Sequence, residues 1–296
     1  MRIDQVLHGR YRLLDPLGAG GMSVVWRARD EVLDRDVAIK VLAGPYAADP
    51  DSRAQLRAEA RATARLQHPH VTDIYDYGEW TDEAGATVAY VVMELLPGRT
   101  LSQRLAEGPL PPRLALRICS EVAAALAAAH AAGLVHRDVK PSNVMVTPAG
   151  AKVFDFGIAA VIGQDELERN GDLLGTPAYL APERLTGGDV LPASDVYALG
   201  LLLHRVLTTR LPWSADTATQ MLRAHVYTRP APLPALAGVP ASVNDICARC
   251  LGKAPADRPP AEEVAAVLGA AAGLVPPPAD TGPGGPQLGG GRRRRR

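Results

Sequence analysis

Along residues 11–95 the apolar positions fall in short β-branched runs, VVWRA, DVAIKVL, VTDIYDYG and TVAYVVME, each bounded by turn residues, and this pattern predicts a small sheet. One helical stretch over about 52–66 interrupts it, with Leu56, Glu59, Thr63 and Leu66 on one stripe and Arg53, Arg57, Arg61 and Arg65 on another. Beyond residue 100 the period changes. Leu114, Ile118, Val122 and Leu126 recur every four residues after Pro111 and Pro112, and further helices are predicted near 193–208, 215–227, 242–252 and 260–271. Between them lies a non-helical block, 134–183, where polar residues cluster. The expectation is an α+β chain in two parts: a small, mainly antiparallel β part with one helix over 11–95, and a larger, mainly helical part over 96–271. Residues 1–10 read as an N-terminal extension, and 272–296, rich in Pro and Gly with little to bury, as a disordered tail.

Composition changes this picture little. The chain has 296 residues, 47% hydrophobic, with 32 basic against 32 acidic side chains, which is enough apolar material for a large core. No apolar run reaches the roughly 18 residues of a membrane span, and the N-terminal MRIDQVLHGR lacks a signal-peptide core, so a cytoplasmic location is expected. Cys119, Cys247 and Cys250 are too few and too uneven for a disulfide framework. Cys247 and Cys250 form a CxxC with no second Cys/His pair nearby, and are expected to be buried cysteines on a helix face rather than a zinc site.

The distribution of charge says more. Of the 32 basic residues only four are lysines, Lys40, Lys140, Lys152 and Lys253, so each lysine marks a place where arginine did not serve. The chain ends in five arginines, Arg292 to Arg296, a run able to make weak contact with an anionic surface. Near the other end, Gly18, Gly20 and Gly21 precede the strand-like SVVWRAR. A plain turn, a Rossmann loop and a glycine flap over a nucleotide all use such glycines. A Rossmann loop opens a helix and a Walker loop ends in Gly-Lys-Ser/Thr, and neither follows here. A hairpin tip remains, whose bare N–H groups can approach phosphate oxygens. Downstream, in VAIK, Ala38 and Lys40 share a strand face, and Glu59 on the inward helix stripe needs a cationic partner, for which Lys40 is the natural choice.

The polar block then adds HRDVKPSNVMV, DFG twelve residues after its Asn, and GTPAYLAPE. With the glycine loop, VAIK, the helix Glu, DVYALG from Asp195 and Arg258, in this order over about residues 11–270, the chain resembles a eukaryotic-type protein kinase. In its GGMS loop and DVKPSN it is most similar to bacterial Ser/Thr kinases of that type. The resemblance implies a bilobal kinase fold, an N-lobe at 11–95 and a C-lobe from 96, and transfer of the ATP γ-phosphate to protein Ser/Thr hydroxyls with Mg²⁺, or Mn²⁺, as the metal.

Carried onto matching positions, the family's roles make Asp138 the base and give Lys140 the γ-phosphate. Lys40, fixed by Glu59, takes the α- and β-phosphates, Asp155 and Asn143 take the metal, and Thr176 braces Asp138 and Lys140. Gly18, Ala19, Gly20, Gly21, Met22 and Ser23 would cover the phosphates, and Leu17 would belong to the adenine slot; Ser23 stands where the pattern has its third glycine. Val25, Ala38, Met145 and Met93 would line the adenine slot, with the backbone of Glu94 to Leu96 as hinge. Glu183 with Arg258, and Asp195, are expected to be structural. A pseudokinase would have lost one of Lys40, Asp138, Asn143 or Asp155, and a small-molecule kinase would lack the GTPAYLAPER segment. Protein substrates and a possible homodimer are the implied partners, and the fold itself implies no nucleic acid. Between Gly157 and Thr176 there is no Ser, Thr or Tyr, so a carboxylate, Glu168 or Asp172, is expected to take the place of an activating phosphate opposite Arg137.

Overall fold

The computed structural model describes residues 1–20, 23–81, 85–156 and 177–274. The readings made for Gly21, Met22, Thr176, Glu168, Asp172 and the 272–296 tail beyond residue 274 lie outside them; the tail reading starts too early, since Ala272 is buried in the core with its amide donating to the Leu268 carbonyl at 2.9 Å. A six-stranded antiparallel sheet in the order β1-β2-β3-β4-β6-β5 forms the first lobe: β1 (Val6–Leu7), β2 (Tyr11–Ala19), β3 (Ser23–Asp30), β4 (Arg35–Leu42), β5 (Ile74–Thr81) and β6 (Thr87–Glu94). β1 lies within residues read as an extension. Val6 and Leu7 pair with Arg12 and Tyr11, and Leu7 is fully buried, so these residues belong to the sheet.

The sheet has two unlike faces because its strands alternate. Tyr11, Trp26, Ala28, Val37, Ile39, Val92 and Tyr90 close one face into a core of their own. Gly78 is required there, since a Cβ at that position would sit 2.4 Å from the Tyr90 ring. The other face receives the helix α2 (Pro50–Thr63), preceded by the short turn α1 (Pro45–Ala48). Asp49 caps α2, its carboxylate accepting the Ser52 amide at 2.9 Å, with Pro50 at the first helical position. Leu56 and Ala60 of α2 pack on Leu42, Ala89 and Val91.

The second lobe starts with a short hairpin-like layer, β7 (Arg99–Thr100), β8 (Val144–Thr147) and β9 (Gly150–Val153), and α3 (Leu101–Ala106). Its helices are α4 (Pro112–Ala131), α5 (Pro182–Leu185), α6 (Pro192–Thr208), α7 (Ala218–Tyr227), α8 (Ala241–Cys250) and α9 (Ala261–Ala271), and α4, α6, α8 and α9 supply most of its core. Among the described residues α4 is the one helix long and apolar enough to cross a membrane by length and composition, although no unbroken apolar run in it is that long. In the fold it lies among α6, α9 and β9 with eleven of its residues buried. Ile118, Val122 and Leu126 of its period-four stripe are buried, whereas Leu114 is exposed. Cys247 and Cys250 are buried on α8, where burial pushes the Cys247 thiol up to about 12. The lobes are also joined through backbone: the Thr72 amide donates to the Val153 carbonyl at 3.0 Å and the Val153 amide to the His70 carbonyl at 2.8 Å.

Arg258 ties the second lobe together. Its guanidinium is fully buried, holds both Glu183 oxygens at 2.7 and 2.8 Å, and donates to the carbonyls of Gly252, Ala193 and Lys253. Burial alone would raise the Glu183 carboxyl; the hydrogen bonds from Arg258 and Ser194 outweigh it and hold the group below its ordinary value. Replacing Arg258 by Ala strands that carboxylate, so a loss of about 3–5 kcal/mol is expected in urea unfolding. A midpoint unchanged from the parent would show that the pair contributes nothing net.

Candidate active site at the seam of the lobes

The site is assembled from the inner face of the first sheet and the irregular segments of the second lobe that face it. In β3, β4 and β6 the register sets Val25 opposite Lys40 and Ala38 opposite Met93, so these four side chains share one face. Ala38 and Met93 are almost fully buried, and Val25 is half-buried. Met145 on β8 and Leu96, in the connection after β6, are half-buried, and Leu17 on β2 is exposed. Glu94 ends β6, and its side chain is held by Lys152 of β9 at 2.5 Å. The sheet thus presents a small apolar floor with one ammonium in it, beside the single chain connection that leads to the second lobe.

Above this floor β2 runs to Ala19 and β3 begins at Ser23, with the Gly20 amide donating to the Ser23 carbonyl at 2.8 Å across the tip. Gly18 and Gly20 do not have positive φ, and a Cβ on Gly18 would meet nothing within 4 Å. Neither backbone conformation nor internal packing asks for glycine at these two positions. What remains is the room they leave for a group that is not part of the chain.

The second lobe contributes a loop fixed at its backbone. The Asp195 carboxylate, in the first turn of α6, accepts the His136 and Arg137 amides at 2.7 and 2.8 Å and also the His130 imidazole at 2.8 Å. Arg137 is left-handed, with φ 70°. His136 bonds the Phe154 carbonyl at 3.0 Å and stacks on Phe156, which couples this loop to the DFG segment. Asp138 then projects with Oδ2 bound by the Lys140 ammonium at 2.7 Å and by the Asn143 amide at 2.9 Å, while Asn143 also donates to the Asp138 carbonyl. Among the described residues no hydrogen bond reaches Asp138 Oδ1, and the side chain remains 30% exposed. One oxygen is anchored and one is free.

Lys40 contradicts the expected pairing. Its ammonium, 5% exposed, is bound to Asp155 Oδ1 at 2.8 Å, and no ion pair joins it to Glu59. Glu59 instead accepts a long hydrogen bond from Gln55 at 3.3 Å, and its Oε2 is buried without a partner. The physical reason lies on the lysine's side: Asp155, left-handed at φ 63°, occupies its ammonium, and Glu59 is left to Gln55. Burial pushes the Glu59 carboxyl up to about 7, only partly opposed by Gln55, Arg137 and Lys40.

The donor set suits Mg²⁺. Asp155 has a second carboxylate oxygen beyond the one on Lys40, and Asn143 keeps its carbonyl oxygen clear because its amide nitrogen faces Asp138. A hard cation bound by one or two such side-chain oxygens is completed by water and by a ligand's phosphates. Among the described residues no group of three His, Cys, Asp or Glu side chains forms a closed metal cage.

These features coincide with those of known proteins. Residues 11–267 match the protein kinase domain family. The chain belongs to that family. The chain is 42% identical over 273 residues to the Ser/Thr kinase PknA of Mycobacterium tuberculosis, covering 90% of this chain and 63% of that protein. It is 38% identical over 261 residues to PrkC of Bacillus subtilis, covering 87% and 40%. The crystal structure of the M. tuberculosis PknI kinase domain superposes with a TM-score of 0.71 at 30% identity, covering 92% of this chain and 99% of that one. The kinase domain therefore has the bilobal fold expected of it, and it spans between 40% and 63% of the length of those two curated relatives. The Lys152–Glu94 pair and the role of His136 are features that motif reading did not identify.

The raised Glu59 pKa has a measurable sign. Below pH 4.5, its ordinary value, the carboxyl is protonated in both folded and unfolded chains and contributes no pH dependence. Between 4.5 and about 7 the unfolded chain ionises while the folded one stays neutral, so folding loses stability as pH rises through that window. Glu59→Gln removes the cost. The variant without nucleotide is expected to resist urea better than the parent at pH 8 and equally at pH 4.5; an equal or lower midpoint at pH 8 would contradict the assignment.

Proposed function

We propose that the chain is an ATP-dependent protein Ser/Thr kinase, on the observation that Lys40, Asp138, Lys140, Asn143 and Asp155 converge at one seam with Asp138 Oδ1 open. The names of the relatives support the reaction class. ATP lies with its adenine on the Val25, Ala38, Met93 and Met145 floor and its phosphates under the Gly18–Ser23 tip. Asp155 and Asn143 would hold Mg²⁺, and Lys40 would then hold the phosphates with Glu59 as its partner. Mg²⁺ on Asp155 and Asn143 supplies charge neutralisation for the phosphates.

The protein hydroxyl enters beside Asp138, whose Oδ1 accepts its proton as the oxygen attacks the γ-phosphorus. The bond to the β-phosphate oxygen breaks, and ADP and a phosphoserine or phosphothreonine result. Lys140, already on Asp138 Oδ2, stands where charge on the moving phosphoryl group is met. Phosphoryl transfer asks the protein mainly for position and charge, which is what these residues supply. Dependence on ATP argues for a cytoplasmic position.

Asp138→Asn is expected to lower kcat by about 10²–10⁴ while leaving ATP affinity within a few-fold, because Asp138 touches neither adenine nor ribose in this arrangement. Turnover equal to the parent with a generic protein substrate would remove Asp138 from the mechanism. The second expectation follows from the sequence between Gly157 and Thr176, which offers no hydroxyl to phosphorylate. Phosphatase-treated protein should retain its full initial rate, and a lag abolished by prior incubation with ATP would show that a phosphate elsewhere is needed.

A further inference from the structure

Arg184, the residue after the Ala-Pro-Glu of α5, has no place in the scheme above. Its backbone is fixed, because its neighbour Glu183 is clamped by Arg258 and also accepts the Ser194 hydroxyl at 2.6 Å. Its side chain points the other way, into the loop that carries Asp138. Nη1 donates to the Arg137 carbonyl at 2.6 Å, a short charge-assisted hydrogen bond. Arg184 is half-buried and, among the described residues, forms no ion pair. Burial pulls its pKa below the ordinary arginine value; Asp138 is the largest influence opposing that fall, and Arg137 adds to it. A guanidinium is thus kept partly out of water beside the base, and its hydrogen bond goes to a main-chain oxygen.

That oxygen belongs to the peptide joining Arg137 to Asp138. Its residue is left-handed and not glycine, a strained conformation that persists only where its surroundings over-determine it. Asp195 fixes the amide on the near side of Arg137, and Arg184 fixes the carbonyl on the far side. With both ends of the residue held, the plane of the 137–138 peptide cannot rotate, and the direction of the Asp138 side chain is set by it.

We propose that Arg184 is a positioning residue for Asp138, locking the 137–138 peptide through its carbonyl so that Oδ1 faces the incoming hydroxyl. This rests on Asp138 being the base, and Asp138→Asn measured in parallel tests that separately. Misplacement of a reacting group by about 1 Å costs on the order of 10²-fold in rate. Arg184→Met, which keeps the apolar stem and removes the donors, should lower kcat about 10- to 100-fold with the KM for ATP within twofold and the melting temperature within a few degrees. Arg184→Lys, which restores a cationic donor, should return kcat to within about fivefold of the parent.

A merely structural tie would lower the melting temperature and leave kcat per folded molecule unchanged, and Lys would rescue nothing. Parental kcat in Arg184→Met, or equal losses in the Met and Lys variants with a parallel rise in the KM for ATP, would overturn the proposal. If the Met variant does not fold, Arg184→Gln, too short to reach the carbonyl, is measured in its place and read in the same way. If Asp138→Asn itself keeps the parental rate, the base assignment fails irrespective of what Arg184 does.

Discussion

The site depends on one buried carboxylate. Asp195 is 1% exposed and sits in the first turn of α6, where the helix dipole favours an anion. It spends its charge on two consecutive backbone amides and an imidazole, and not on a salt bridge with lysine or arginine. Those amides could not be satisfied by secondary structure, because the chain turns left-handed at Arg137. Everything nearer the chemistry inherits its position from this grip: Asp138 follows Arg137, Asn143 bonds back to Asp138, and His136 carries the constraint to the DFG segment through Phe154 and Phe156.

Most of the fold was legible because its elements have short-range causes. Strand alternation, the Asp49-Pro50 start of α2 and the prolines that open α4 and α6 are written in adjacent residues. The misreadings have long-range causes. A four-residue step on a helix advances about 40° beyond a full turn, so a period-four stripe winds off the buried face, and Leu114, three steps before Leu126, ends in solvent. The partner of Glu59 could not be read from helix spacing, which says which way a side chain points but not how far the helix stands from the sheet. Arg184 carries no signal of its own in the sequence. Its meaning appears only when Glu183 and Arg258 fix the backbone beside it.

The four lysines show why residue choice was informative where residue pattern was not. Lys40 meets Asp155, Lys140 meets Asp138, Lys152 meets Glu94, and Lys253 donates to the carbonyls of Ala224 and His225 at the end of α7. Each is a compact point charge, where arginine would bring a planar fork of five donors. Arginine serves the rim instead, as in Arg12 with Glu31 or Arg27 with Asp15, where a guanidinium is half in water. Arg258, buried, and Arg184, half-buried, depart from that pattern, and both bind main chain through the guanidinium.

The backbone link between His70–Thr72 and Val153 has a mechanical consequence. Through main chain the lobes are fastened at two points, the covalent strap after Glu94 and this non-covalent rung, which is hydrogen-bonded in both directions, with side-chain ties such as Lys40–Asp155 in addition. Two fastenings define a line, and a body held along a line retains one easy freedom, rotation about it. Sliding and twisting of one lobe over the other would break the rung. Val153 lies two residues before Asp155, so that carboxylate sits close to the axis, where a given angle of opening moves it least.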